Sequence, residues 1–375
     1  MVYFDVAVVG LGAAGSAALH RIASRGCRAV GLDFNPPGHD RGSSHGETRI
    51  IRLGYFEHPS YVPLVREALT LWRELERSAG IDLLTTTGII EIGAPDSALI
   101  KGTLSSSQLH KLPHEVLNAA QTMRRFPAFR IPDTYLGVFQ PDAGYLAAEK
   151  AVAAQLAAAE AAGAEIRIGW RALSFSSGAR GVRVATSHGE IEAGKVVIAA
   201  GPWLKELLPD FPAPLRITRQ VLGWFTPKDT VRFAAGKFPV FLFESEHGVH
   251  YGFPPNGDGN LKIAKHHHLG EVTTAEDCNR AVSPRDETAI RDFLASCLPA
   301  ANGPMAAAKT CLYTMTPDED FIVDRLPGHP DIIVASPCSG HGFKFAPVIG
   351  EILADLVTRG ATQRDISRFR LARFA

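Results

Sequence analysis

An α/β fold with a parallel nucleotide-binding sheet, joined to a second, mainly antiparallel β-sheet domain of α+β character, is predicted by three observations. Residues 6–9 form a buried β-run that Gly10, Gly12 and Gly15 turn into an apolar helix, and residues 27–32 return as a strand ending on Asp33. Far downstream, residues 195–201 make an apolar strand that ends on Ala-Ala-Gly201. Between these landmarks and a C-terminal strand and helix (332–335 and 348–356) lie β-rich stretches that do not belong to a parallel sheet. The first unit is thus a Rossmann-like βαβ. Gly10 permits the tight turn, Gly12 lets a phosphate approach the backbone, and Gly15 lets helix and strand pack closely. The helix N-terminus offers free N–H groups and a positive dipole end to a pyrophosphate, and Asp33 suits a ribose diol.

Composition narrows the partners. A chain of 375 residues is long for one core and predicts two domains. With 39 basic and 39 acidic residues the formal charge is zero, so no global field favours nucleic acid or an anionic membrane. The expected partners are small molecules acting on a monomer. No apolar run reaches membrane-spanning length and the apolar start has no basic leader, which predicts a cytoplasmic protein. The cysteines (Cys27, Cys278, Cys297, Cys311, Cys338) are odd in number and widely spread, which predicts free thiols.

The remaining elements follow in order. Residues 34–60 form a polar, glycine-rich loop, too long for a plain connector. Residues 61–79 carry Leu64, Val65, Ala68, Leu71, Trp72 and Leu75 at helical spacing. Residues 85–145 hold short β-runs (88–92 and 135–140) and read as an excursion into the other domain. Residues 147–162 are an alanine-rich helix of high propensity and no chemistry. A strand at 164–168 and a hairpin-like stretch around 182–193 precede the Ala-Ala-Gly strand. Residues 221–265, rich in β-branched and aromatic side chains with a PPNGDGN turn, predict an antiparallel sheet. The nucleotide domain is therefore expected in pieces, 1–85, 145–215 and 311–375, with 86–144 and 216–310 forming the substrate domain.

Such an interrupted nucleotide domain points to FAD rather than a nicotinamide. Gly340 and Gly342 before the last helix suit the pyrimidine edge of a flavin, whose reduced form gains from a positive dipole end. Here a resemblance becomes specific. GSSHGETRIIR (42–52), YGFP (251–254), LKIAKH (261–266), CLYTMTPDEDFIVD (311–324) and SGHGFKFAPVIGEI (339–352), in this order, resemble the monomeric sarcosine oxidase and N-methyltryptophan oxidase family. The likeness runs to FRLARF near the C-terminus. LKIAKH, PDEDFIVDRLPGH and FRLARF look closer to the N-methyltryptophan oxidase branch. The resemblance implies an FAD enzyme that oxidises secondary N-methyl amino acids with O2, giving an imine that hydrolyses, and hydrogen peroxide.

Residue by residue, the resemblance implies a site that the bare sequence leaves ambiguous. Cys311 alone reads as a small buried hydrophobe; the family pattern makes it the thioether partner of FAD. Lys262, otherwise a lysine on a β-run, becomes a fixed charge over the flavin that promotes reaction with O2. Arg49, His45 and Thr48 fold over the cofactor, beside Gly201 and the Gly340/Gly342 turn. Arg52 and Lys344 form a carboxylate clamp, in which the planar fork of an arginine suits a carboxylate. Tyr251 and His266 shape the pocket and favour the neutral amine. The run His266-His-His268 lacks metal-ligand spacing, so no metal is expected. Leu242 stands where a sarcosine oxidase has methionine, Ser44 replaces a histidine, and Pro337-Cys338 departs from the small or apolar family residues. The substrate side chain stays open among hydrogen, a ring as in pipecolate or proline, and an aryl group. An amine dehydrogenase with another electron acceptor, and a non-catalytic flavoprotein, are the alternatives.

Overall fold

The structure is a computed structural model that describes residues 2–234, 236–255 and 257–375. Two large sheets share the chain. The first has eight strands, and its centre is parallel: Val2–Val9 lies between Gly189–Ile198 and Ala29–Asp33, with Glu165–Ile168 beyond the latter and His329–Ser336 pairing with Gly189–Ile198. Helix Ala13–Ala23 packs on this sheet and against helices Ala148–Ala161 and Ala346–Arg359. Parallel strands buried on both faces need uninterrupted apolar runs, and Val6, Ala7, Val8 and residues 196–198 are all buried.

Gly15 decides how close this helix comes. A Cβ there would lie 1.7 Å from the Gly10 carbonyl oxygen, and Gly10 itself has φ +87° with its missing Cβ facing the Ala199 carbonyl. Gly15→Ala is therefore expected to force helix and strand apart. It should lower stability by about 1–3 kcal/mol and cut flavin retention, both visible in thermal unfolding and in the yellow colour of the purified protein.

The second sheet has nine strands and is antiparallel except where Val240–Ser245 joins Ile89–Gly93 in parallel. That single parallel join is where the excursion (residues 85–145) meets the later segment. A three-stranded sheet, Thr48–Ile51, Leu84–Thr86 and Gly144–Ala147, ties the excursion back to the long loop. Side chains alternate between the two faces, with one irregularity at Trp224/Phe225 where Arg216–Phe225 pairs with Met305–Met315. Phe225, Phe241, Phe243, Ile90, Ile92, Leu261 and Ile263 form a core on one face with Phe293 of helix Pro284–Cys297. Leu222, Trp224, Ala264, Cys311 and Tyr251 cluster on the other.

Two differences from expectation follow from tertiary packing, and one expected turn lies partly outside the described residues. Residues 305–315 form one strand, Met305–Met315, paired along its length with Arg216–Phe225, so 311–315 belong to the antiparallel sheet and the expected boundary at 311 cuts a strand. Helices Ala98–Leu109 and Pro284–Cys297 were not anticipated. The PPNGDGN turn includes residue 256, which lies outside the described residues. Among those residues the five cysteines are free, and no helix is long and apolar enough to cross a membrane.

Candidate active site

A cavity of about 430 Å³ runs along the carboxyl ends of the parallel strands and on to the antiparallel sheet. This is the position at which open α/β sheets bind ligands. At one end stand Gly10, Gly12, Asp33 and Gly201; at the other, Arg52, Tyr251, His266, Cys311 and Lys344.

The structure brings Gly10, Gly12, Asp33 and Gly201 to one end of the cavity and adds Ser44 beside them. Helix Ala13–Ala23 has no side-chain cap of its own. The Ala13 N–H instead donates to Ser44 Oγ at 3.1 Å, and a Cβ on Gly12 would lie 3.2 Å from the same hydroxyl. The serine that departs from the family histidine therefore sits at the N-terminus of the helix expected to meet a phosphate. Asp33 accepts from the Leu11 N–H at 2.6 Å and the Asn35 N–H at 2.8 Å, which holds the carboxylate on the cavity wall.

Period-two alternation explains the reactive end. In Leu261–Lys265 and the residue after it, Lys262, Ala264 and His266 share one face while Leu261 and Ile263 enter the phenylalanine core. Cys311 and Tyr313 share a face of Met305–Met315 by the same rule, and both line the cavity. Cys311 is 2% exposed, and the Arg49 guanidinium lies 3.7 Å from its sulfur. Arg49 is held by the carbonyls of Ser43 and Thr48. The Gly340/Gly342 turn is obligatory: Gly340 has φ +80° against the Tyr313 and His266 rings, and a Cβ on Gly342 would overlap the Pro337 carbonyl at 1.4 Å. Pro337-Cys338 thus forms the floor of this turn.

Several expected site residues meet partners that the sequence does not show. Lys262 is not presented to the open cavity. Its ammonium donates to the Gly46 carbonyl (2.6 Å), the Thr48 carbonyl (2.7 Å) and the Thr48 hydroxyl (3.1 Å), with the Phe253 ring centre 4.6 Å away. Burial and the Arg49 charge push it well below the ordinary lysine range, while three acceptors hold its protons. Thr48 correspondingly faces Lys262 rather than the cavity. His45 is 1% exposed, lies off the cavity wall, and both ring nitrogens lack a hydrogen-bond partner among the described residues. Burial and Arg49 depress it to about 3, so it is neutral and carries no proton-transfer role visible in the geometry.

The two residues expected to form a carboxylate clamp, Arg52 and Lys344, also have internal partners. Arg52 already holds a carboxylate: its Nη2 donates to both oxygens of Glu57, at 2.7 and 2.6 Å, and its Nη1 to the Gly54 carbonyl at 3.0 Å. The guanidinium is stacked between the rings of Tyr55 (4.3 Å) and Phe56 (4.6 Å). Lys344 donates to the His341 carbonyl at 2.7 Å, and burial and Arg52 lower it to about 7. An incoming carboxylate must therefore exchange with Glu57 or share the guanidinium with it. Glu57, Tyr55, His341 and Tyr313 escaped sequence reasoning, although all lie within or beside the quoted motifs. Tyr55 and His341 are hydrogen-bonded to each other, and His341 is depressed to about 4 by burial. His266 is depressed to about 3 by burial and His267, and its Nδ1 meets the Tyr313 hydroxyl at 3.3 Å. The three consecutive histidines diverge, His267 toward Glu319 and His268 toward Asp286.

The glycine cradle at the helix N-terminus, with Asp33 at its side and the Gly340/Gly342 turn at the far end, fits an extended dinucleotide bearing a flavin. Comparison with known proteins agrees. Residues 5–356 match the model of the FAD dependent oxidoreductase family, DAO, and the chain belongs to that family. Within it the chain groups with monomeric sarcosine oxidases and N-methyl-L-tryptophan oxidases. It is 41% identical to monomeric sarcosine oxidase of Streptomyces avermitilis, covering 99% of this chain and 98% of that protein. It is 38% identical to N-methyl-L-tryptophan oxidase of Salmonella agona, covering 99% of both. Whole-chain identity thus does not favour the N-methyltryptophan branch that three motifs resemble. Among solved structures, the open form of NikD, described as an unusual amino acid oxidase essential for nikkomycin biosynthesis, superposes with a TM-score of 0.86 at 27% identity, covering 99% of this chain and 98% of that one. Glycine oxidase from Geobacillus kaustophilus shares the fold, with a TM-score of 0.82 at 21% identity over 100% of this chain and 99% of that one.

Proposed function

We propose that this chain is a monomeric FAD oxidase of secondary, N-methylated α-amino acids, with O2 as electron acceptor. Bound FAD supplies the two-electron acceptor for the carbon–hydrogen bond next to the substrate nitrogen. The observation that carries the reading is the convergence of Arg52 and Lys344 on one cavity that continues, past a neutral His266, to Cys311 and the Gly340/Gly342 turn.

The chain's own residues account for binding and protonation. Arg52 and Lys344 take the carboxylate. Burial of the site and the charge of Arg49 disfavour an ammonium there, so the amine is bound with its lone pair free. His266 and Tyr251 remain uncharged beside it. Ile50, Phe56, Leu242, Val249 and Phe253 line the same cavity and supply an apolar wall for the N-methyl group and side chain. Screening N-methyl amino acids for bleaching of the flavin and for peroxide tests the assignment. Oxidation of dimethylamine or benzylmethylamine as fast as sarcosine or N-methyltryptophan would refute amino-acid recognition.

Covalent attachment of FAD through Cys311 belongs to the same proposal. It is supported by the burial of the thiol in the cavity wall and by the guanidinium held against its sulfur. The purified protein should be heavier than its chain by one FAD, and Cys311→Ala should lose that increment in intact-protein mass spectrometry. Complete release of flavin from denatured wild type would exclude the bond.

A further inference from the structure

A charged residue outside the motifs stands behind Arg52. Glu91 lies on strand Ile89–Gly93 between Ile90 and Ile92, which enter the phenylalanine core, so alternation turns its side chain to the opposite face. It is completely buried, and its Oε1 is 3.8 Å from Arg52 Nε with no hydrogen-bond partner among the described residues. Its Oε2 accepts from Gln140 Nε2 at 2.7 Å, and Gln140 Oε1 accepts the Gly54 N–H at 2.6 Å. The Gly54 carbonyl in turn accepts from Arg52. Glu91 is therefore linked to Arg52 twice, by charge and through Gln140 and Gly54, yet it does not line the cavity.

Two carboxylates thus face one guanidinium. Glu57 reaches it from the cavity and can be exchanged, whereas Glu91 reaches it from the protein interior and cannot leave. We propose that Glu91 is a positioning residue whose protonation state sets how strongly Arg52 holds a substrate carboxylate. The inference rests on the reading of Arg52 as the carboxylate site. With Glu91 ionised, a third carboxylate entering beside Glu57 and Glu91 meets an over-neutralised arginine. With Glu91 protonated, the guanidinium has charge to spare. Binding a carboxylate should therefore draw a proton onto Glu91.

The surroundings allow that proton to move near neutrality. Burial raises Glu91 to about 7, Arg52 opposes the rise and Glu57 adds to it. Of the other elements packed on it, helix Ala98–Leu109 brings Thr103, Leu136–Gln140 brings Val138 and Gln140, and Val240–Ser245 brings Leu242 and, two residues along the same face, Glu244, whose carboxylate accepts from the Leu99 N–H at 3.2 Å. By sign, a group that must be protonated in the complex weakens binding as pH rises through its value. Lys344 also loses charge near neutrality and weakens binding in the same direction, but it does so equally in a Glu91 variant.

Benzoate, a carboxylate without an amine, isolates the effect. Its affinity for wild-type holoenzyme and for Glu91→Gln, which mimics the protonated acid, should be measured by calorimetry from about pH 6 to about pH 9, in buffers of different ionisation enthalpy. The two proteins should bind alike at the acid end, and wild type should become weaker than the variant by roughly fivefold to tenfold at the alkaline end, as expected for two like charges several ångströms apart in a partly screened interior. Proton uptake near neutrality should fall sharply in the variant. Parallel pH profiles, or uniformly weaker binding by Glu91→Gln, would overturn the proposal and leave Glu91 a structural residue. If the variant does not fold, absence of proton uptake by wild type overturns it, while uptake retained by Glu91→Asp and reduced to the Lys344 share in Gln140→Glu, where the added acid lets the pair hold a proton before binding, upholds it. Benzoate affinity unchanged by Arg52→Ala would instead remove the carboxylate-site reading itself.

Discussion

Lys262→Met is expected to slow the reaction of the reduced enzyme with O2 by about a hundred- to a thousandfold, the usual cost of removing one preorganised charge or donor from a site where negative charge develops. Methionine keeps the apolar stem against Phe253 and removes the ammonium. Three acceptors on the 46–48 loop fix that ammonium, so it is an oriented charge with no free proton to give. Stopped-flow mixing of the reduced variant with oxygenated buffer measures the loss, and anaerobic reduction by substrate should change much less. The same lysine also anchors the loop that carries Arg49. If both half-reactions slow equally, anchoring rather than charge is its function, and unchanged reoxidation would remove Lys262 from the oxygen reaction.

Arg52→Ala is expected to raise the substrate requirement by roughly thirtyfold to a few thousandfold, equivalent to about 2–5 kcal/mol for one partner of a buried charge-assisted contact. The alanine also strands Glu57 and Glu91 without their common cation, and a buried carboxylate left unpaired is strongly destabilising. Arg52→Lys is the complementary test, since it keeps the charge and loses the fork that reaches Glu57 and Gly54 together. A large rise in KM with kcat nearly preserved would place Arg52 in ground-state binding of the carboxylate. Equal activity of the alanine variant on N-methyl amino acids would refute the clamp.

The parts of this protein legible in the sequence are those whose physics is local. Gly10 and Gly15 declare a turn and a close helix approach, because Gly10 adopts φ +87° and a Cβ on Gly15 would strike the Gly10 carbonyl. Alternation in residues 261–266 tells which side chains leave the phenylalanine core. Composition alone excluded a global field for polyanions. The motif resemblance added the cavity residues Arg49, Arg52, Cys311 and Lys344.

What only the tertiary structure decided is which charges meet. Glu57 is close to Arg52 in sequence, but nothing in residues 52–57 shows that the guanidinium turns toward it. Glu91 and Gln140 lie on strands whose pairing brings them beneath Arg52, and a lone acid in an apolar run reads as a solvent-facing residue until the sheet is assembled. Lys262 and His45 show the converse: a motif placed them in the site, and the fold then gave the lysine three acceptors and the histidine none. Sequence determines backbone conformation through sterics and periodicity, which act over a few residues. Ionisation and hydrogen-bond partnership depend on burial and on distances of a few ångströms between segments far apart in the chain, so they exist only once the two sheets and the 34–60 loop have closed on one another.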